Sequence, residues 1–430
     1  MPDSAKLIDK LSAQLPPDAR ALFDAVCDHA TRRGLSAFLV GGTVRDLLLD
    51  RLSLDVDIVI EGDAPALARE VAAATGAKLT KTTEFGTATL ISVGQGPSSD
   101  STAQPRRFTI DLATARAETY ARPGALPKVR RSAIDDDLTR RDITINSMAL
   151  QLNGTAPAKL LDPTGGEADL RAGLVRVLHD KSFQDDATRI LRAVRYESRF
   201  AFRLEERTLD LLRSDLSDID AISGTRIRHE LQRTFDEAEP ERPLSRLEEL
   251  GVLHAIHPVL AFAPEQATAL HRLPSGALPL AAWPLLCWTA PAEQLSDLIR
   301  RLALTRTQAV AVRAILAIRE VEPQLAAANR PSEVVRLLSP LPLATVYVFA
   351  AIARSEPAGQ QAERYVTHWR TVRPILRGDD VMKLGVPRGP EIAEVLRDMQ
   401  AARLDGEVQS RTDEERFVEA YLARELTGLA

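Results

Sequence analysis

Two aspartates one residue apart, Asp55 and Asp57, stand in the run SLDVDIVI, where they alternate with Leu54, Val56, Ile58 and Ile60. Such alternation marks a strand with one buried face, so both carboxylates project from the other face, about 7 Å apart. Two acids so placed can hold divalent ions. In RFTIDLA, Asp111 alternates with Phe108, Ile110 and Leu112 and has the same outward parity, which makes it the candidate third carboxylate. Upstream, the apolar strand AFLV runs into Gly41-Gly42, which opens the short amphipathic segment TVRDLLLD. Glycines let backbone N–H groups approach a phosphate closely, a helix end adds a favourable dipole, and Arg45 can supply formal charge.

The elements that must position these groups form a mixed head. Residues 1 to about 34 read as a helical lead-in, and a helix through PALAREVAAATG is expected to stop at Gly76 in the left-handed conformation. The strand-like runs TATLISV and RFTIDLA flank QGPSSDSTAQP, which reads as a hairpin-tip loop. From about residue 180 the strand signal gives way to helical periodicity, without a repeat of fixed period. At 430 residues the chain is too long for one core and predicts two to four domains. A 45% apolar and 27% charged composition excludes a disordered polyampholyte, and the apolar runs are too short or too broken by proline to span a bilayer. Two cysteines cannot build a disulfide framework or a four-thiolate metal site, and the charged N-terminus lacks a signal-peptide core, so the cytoplasm is the expected location. With a net charge of −5, any contact with RNA must come from a local patch.

GGTVRDLLL followed by DVDIVI resembles the head of the tRNA nucleotidyltransferase and bacterial poly(A) polymerase family, within the polymerase-β-like nucleotidyltransferase superfamily. TRRDITINSMAL (139–150) is similar to the family's second signature, with Ile143 in place of Phe and Ser147 in place of Ala. LLDPTGGEADLRAGLVRVL resembles the third and QDDATRILRAVRYESRF the fourth, with Asp185 where Glu is usual. SGTRIRHEL (223–231) resembles the fifth, with Thr225 at a usually acidic position, and GDDVMKLGVPRGPEIAEVL resembles the tail segment. The resemblance runs from about residue 37 to 405 in consistent order. It implies an α+β fold: a nucleotidyltransferase head with a small mixed sheet (1–150), then a helical neck (151–240), body (241–345) and tail (346–430).

In the fourth signature Asp186 and Arg189 are three residues apart and share a helix face. Cytosine and adenine each offer a ring-nitrogen acceptor beside an exocyclic amine, so an aspartate can accept from the amine while an arginine donates to the ring nitrogen. Uracil and guanine present the opposite pattern and would leave polar groups unpaired. The resemblance assigns this base-reading role to Asp186 and Arg189. It also implies phosphate or ribose contacts from Gly41, Gly42, Arg45, Arg141, Asp142 and Asn146, and contacts to the incoming nucleotide from Arg192 and Arg195. Asp55 and Asp57 are the expected magnesium ligands, with Asp111 as a third catalytic carboxylate. The implied substrates are CTP, ATP and the acceptor arm of tRNA, and no membrane partner is expected.

Other features read as structural. Arg192, Arg195, Arg199 and Arg203 continue the helix of Arg189 as a stripe, whose outer members are candidates for RNA phosphates. Gly165 and Gly166 read as a turn, Arg226 and Glu230 as a helix ion pair, and His254 with His257 as packing residues. The segment RAETYARPGALPKV (116–129) occupies the place of a loop that the family links to the switch from C to A addition. Full CCA addition is the leading reading. CC-only, A-only and poly(A) addition are alternatives within the fold, and a non-catalytic RNA-binding protein is the alternative outside enzymology.

Overall fold

A computed structural model of the chain describes residues 4–51, 55–83, 86–92, 108–119, 122, 124, 127–154, 159–274 and 276–428. Leu54, the hairpin-tip segment 95–105 and parts of 116–129 lie outside the described residues. The chain divides into two compact units, Met1–Ser223 and Gly224–Ala430.

The first unit opens with helices α1 (Ser4–Gln14) and α2 (Pro17–Arg32), the expected lead-in. Strand β1 (Ser36–Val40) then turns through Gly41 into α3 (Gly42–Leu48), and β2 (Asp55–Glu61) carries the aspartate pair. Helix α4 (Ala64–Thr75) begins where the Asp63 side chain accepts from the Ala66 N–H at 2.9 Å, and ends at Gly76, left-handed at φ 73°. Strands β3 (Lys78–Thr82), β4 (Thr87–Ile91) and β5 (Thr109–Thr114) follow, then the two-stranded ribbon β6 (Arg116–Thr119) and β7 (Lys128–Arg131). After α5 (Ile134–Thr139), short strands β8 (Ala149–Gln151) and β9 (Leu160–Leu161) complete a seven-stranded mixed sheet, ordered β3-β4-β5-β2-β1-β8-β9. Among the described residues only β2 and β5 run parallel in it.

One sheet face buries Val56, Ile58, Ile60, Ile110 and Leu112 completely, beneath α2 and α4. On the other face Val59 packs with Phe38, Val40, Ile134 and Leu138, so α5 covers that end of the sheet. The same face becomes polar two residues earlier on β2. Asp55, Asp57 and Asp111 are all exposed there, and Asp57 pairs in register with Asp111 on the neighbouring strand. The open acidic floor is what the alternation predicts; the covered end is a departure from a strand with one buried face, because Val59, of the same parity as the aspartates, is buried as well.

Helix α6 (Gly166–Ala172) is capped by Asp162, which accepts from the Gly166 and Glu167 N–H groups at 2.7 and 2.9 Å, so Gly165-Gly166 is a turn, as expected. Strand β10 (Leu174–Val175) leads to α7 (Ser182–Asp185), α8 (Thr188–Phe200), β11 (Arg203–Leu204) and α9 (Glu206–Ser214). Contrary to the helical spacing, Arg203 does not continue the arginine stripe. Ala201 turns left-handed at φ 54°, the Glu197 side chain accepts from the Leu204 N–H at 2.9 Å, and Arg203 joins β11 opposite Leu174.

Among its described residues the second unit is helical throughout. Its first helix, α10 (Gly224–Phe235), holds an ion pair between Glu230 and Arg233 at 2.7 Å. His257 is buried and pairs with Asp297 at 3.1 Å, whereas His254 is exposed, so only the first fits the packing role. A core of Ile318, Leu325, Val346, Phe349 and Ala362 joins the helices Arg306–Ala327, Leu343–Ile352 and Glu356–Thr367. A second core of Leu376, Val381, Val395, Met399 and Val418 serves the last helices. Near it the wholly buried Glu414 accepts from the Ile375 and Leu376 N–H groups and pairs with Arg403 at 3.0 Å. Among the described residues no helix is long and apolar enough to cross a membrane.

Candidate active site

A cleft of about 340 Å³ in the first unit is lined by Gly42, Asp57, Glu118, Arg141, Asp142, Asn146, Asp186, Arg189, Arg192 and Tyr196. It unites the glycine turn, one strand aspartate, the second-signature residues and the Asp-Arg couple, which lie far apart in sequence. An adjoining hollow shares Asp57 and Arg141 and adds Thr87, Thr89, Asp111 and Arg140.

The carboxylate floor is held from behind by Thr43. Its hydroxyl donates to the Asp55 carbonyl and accepts from the Asp57 N–H, each at 3.2 Å, which ties α3 to the start of β2. Asp111 accepts a short hydrogen bond from the Thr89 hydroxyl. Asp57 keeps contact with solvent, yet the surrounding walls strip part of its hydration and the Asp111 and Asp55 charges repel it, while Arg141 opposes them. The net result lifts its pKa to about 6. Carboxylates crowded against their own repulsion are the environment a divalent cation relieves. Among the described residues no three acidic, His or Cys side chains converge as a closed ligand set. The floor therefore suits an ion held by one or two carboxylates and completed by substrate oxygens, the usual habit of magnesium-class sites.

Arg141 faces Asp57 across this floor. Its guanidinium donates to the fully buried Asp137 at 2.9 Å and to the Asn146 carbonyl at 3.4 Å. It occupies space that only glycine leaves: a Cβ on Gly41, whose φ is +63°, would lie 2.6 Å from Arg141 Nη1. Arg45 is placed otherwise than a phosphate ligand in the cleft would be. It is 3% exposed, donates to Asn146 Oδ1, pairs with Asp46 at 2.8 Å, and lies over the Phe200 and Tyr196 rings at 4.6 and 5.3 Å.

Asn146 passes this contact on by donating to Asp142 at 3.2 Å, and Asp142 receives Arg192 at 2.6 and 2.8 Å. Burial alone would push the Asp142 carboxyl up, but Arg192, Asn146 and the nearby Arg189 charge hold it down at about 2. Arg45, Asn146, Asp142 and Arg192 thus form one polar chain from the glycine turn to α8. Arg195 is buried on the same helix with its guanidinium 5.2 Å from the Tyr196 ring, outside the lining of the cleft, and Arg199 is exposed above that ring at 5.5 Å.

The Asp186–Arg189 couple sits at the N-terminal end of α8. Asp186, extended between α7 and α8, has its Oδ1 accept from the Thr188 N–H at 3.0 Å and from the Thr188 hydroxyl at 2.6 Å, which ties it to the first residue of α8. Arg189 is buried, with its guanidinium donating to the Ser182 hydroxyl and the Arg140 carbonyl, both at 2.8 Å. The site also contains residues that spacing did not reveal. Glu118 and Tyr196 line the cleft, Thr43 holds the aspartate strand, and Ser182 and the Arg140 carbonyl hold Arg189. Glu118 is bound to Arg116 at 2.9 Å and to Arg140 at 3.1 Å. The alternation of RAET on β6 gave no reason to choose it.

Residues 37–176 match the poly A polymerase head domain, and residues 201–263 match the probable RNA and SrmB-binding site of polymerase A. The chain is 33% identical over 426 residues to the A-adding tRNA nucleotidyltransferase of Halalkalibacterium halodurans, covering 97% of this chain and 96% of that relative. It is 30% identical over 413 residues to the CCA-adding enzyme of Geobacillus stearothermophilus, covering 93% and 95%. The Thermotoga maritima CCA-adding enzyme complexed with tRNA-CCA superposes with a TM-score of 0.74 and 28% identity, over 98% of each chain. Sequence likeness along nearly the whole length thus agrees with a head in which a strand aspartate and the Asp186–Arg189 couple open on one cleft, and the chain belongs to the tRNA nucleotidyltransferase family.

Proposed function

We propose that this chain extends the 3′ end of tRNA with C and A drawn from CTP and ATP, without a nucleic-acid template. The observation that carries the proposal is the single cleft shared by Asp57, Arg141, Asp186 and Arg189. In this reading Asp55 and Asp57 hold Mg²⁺, with Asp111 as the further carboxylate. When bound, the ions lower the pKa of the attacking 3′-hydroxyl and stabilise the charge on departing pyrophosphate.

The chain's own groups do the rest. Arg141 and the Gly42 turn face the triphosphate, and Arg141 supplies fixed positive charge beside the carboxylates. Arg192, Asp142 and Asn146 border the ribose side of the cleft. Asp186 accepts from the exocyclic amine of cytosine or adenine, and Arg189 donates to the adjacent ring nitrogen. Arg45 and Arg195, buried behind the wall, position the others. The helical neck, body and tail bind the acceptor arm by shape and phosphate contacts.

A second reading restricts the product to the terminal A. It is supported by the greater identity to an A-adding relative than to a CCA-adding one. Product length decides between them. With a tRNA lacking its terminal trinucleotide, CTP and ATP together give three added nucleotides if the chain builds CCA. An enzyme restricted to A adds one nucleotide, and only to a tRNA that already ends in CC. Failure to extend either acceptor overturns the proposal.

A further inference from the structure

Ser182 lies behind the cleft wall, is fully buried, and touches both members of the base-reading couple. Its carbonyl accepts the Asp186 backbone N–H at 3.3 Å, and its hydroxyl accepts from Arg189 Nη1 at 2.8 Å. It is locked in turn. The Ser182 N–H donates to the His179 carbonyl at 3.0 Å, and the next residue, Phe183, is wholly buried. On the far side of the guanidinium, Nη2 donates to the Arg140 carbonyl at 2.8 Å.

A guanidinium is planar and carries five N–H donors. Two acceptors, one on each terminal nitrogen, fix the orientation of that plane and leave the other donors for a nucleobase. Of the two, the Arg140 carbonyl is main chain and indifferent to side-chain identity. The Ser182 hydroxyl is therefore the side chain that sets where Arg189 points. Without it, Nη1 keeps among the described residues only the Ser182 carbonyl at 3.5 Å, at the limit of a hydrogen bond. We propose that Ser182 is a specificity-positioning residue: it touches no substrate, but aims Arg189 at the ring nitrogen that separates cytosine and adenine from uracil and guanine. The inference rests on the base-reading role proposed for Asp186 and Arg189.

The test compares wild type, Ser182→Ala, Ser182→Thr and Arg189→Ala in the full chain, using whichever tRNA acceptor the wild type extends. The readout is the ratio of kcat/KM for the cognate nucleotide to that for UTP and GTP, with the melting temperature measured alongside. Ser182→Ala is expected to lower that ratio about tenfold, the scale of one lost charge-assisted hydrogen bond. Ser182→Thr, which keeps the hydroxyl, restores most of it. If Arg189→Ala relaxes selectivity while Ser182→Ala leaves the ratio unchanged, the positioning role is overturned and base reading by Arg189 stands. If Arg189→Ala itself leaves selectivity intact, the base-reading proposal fails and this inference with it. Should Ser182→Ala not fold, Ser182→Cys keeps the shape and weakens the acceptor, and its ratio is read by the same rule.

Discussion

Replacing Arg192 with Gln probes the link between α8 and the second-signature segment. Asp142 is 8% exposed and receives two hydrogen bonds from Arg192, at 2.6 and 2.8 Å. Removing one partner of such a pair strands a buried charge, which costs about 3–5 kcal/mol. The Arg192 side chain is still 26% exposed, so the lower end, about 3 kcal/mol, applies. An independent figure comes from the carboxyl itself. A pKa held at about 2 against an ordinary 3.8 corresponds to about 2 kcal/mol. Because the folded value is depressed, this stabilisation is complete above about pH 4 and is lost as pH falls toward 2. In Arg192→Gln the carboxyl is buried without its cation, its pKa rises instead, and acidification should then stabilise the variant. A double-mutant cycle of Arg192→Gln with Asp142→Asn, read by native-state hydrogen exchange across residues 188–200, should give a coupling of about 2 kcal/mol. Local exchange is the suitable probe because the tryptophans, Trp283, Trp288 and Trp369, all lie in the second unit. A coupling below about 0.5 kcal/mol would refute the claim that this pair joins the segment to the helix.

Three further outcomes follow from the geometry. Gly41→Ala should cost about 1–3 kcal/mol in backbone strain and raise the nucleotide KM, because the new Cβ meets Arg141 Nη1 at 2.6 Å; unchanged melting temperature and KM would contradict it. In EDTA the protein should lose stability as pH rises from about 4 to about 6, because the raised Asp57 pKa makes the folded state the better proton binder. Solvent contact screens that loss to about 1 kcal/mol, and Asp57→Asn should abolish it; a variant with the same pH slope as wild type would exclude Asp57 as its source. Binding of tRNA should weaken steeply with salt through release of counterions from phosphate contacts, and a flat response would argue against that mode.

Much of the site was legible because periodicity reports local backbone. Alternation placed Asp55, Asp57 and Asp111 on one face, and the parallel register of β2 with β5 sets Asp57 beside Asp111. The i to i+3 spacing led to one helix face for Asp186 and Arg189; both do line the cleft, but Asp186 is extended and precedes α8, so the turn between α7 and α8 rather than a shared face brings them together. What remained hidden depends on contacts between distant segments. Nothing about GGTVRD says that Arg45 turns inward onto Tyr196 and Phe200 rather than toward a phosphate. Nor can composition single out Glu118, whose partner Arg140 lies 22 residues on, or Ser182, whose bond to Arg189 depends on how the chain turns between α7 and α8. The arginine stripe was extended one turn too far because helical spacing persists through Arg203, whereas the helix ends at a left-handed alanine that no residue preference announces.

The central claim, that carboxylates and a base-reading couple act on one nucleotide in one cleft, is tested most directly by offering all four nucleoside triphosphates to wild type, Asp57→Ala and Arg189→Ala with an extendable tRNA and Mg²⁺. The account predicts that Asp57→Ala extends with none of the four, whereas Arg189→Ala retains turnover and admits UTP and GTP. Turnover that survives in Asp57→Ala, or selectivity unchanged in Arg189→Ala, would contradict it.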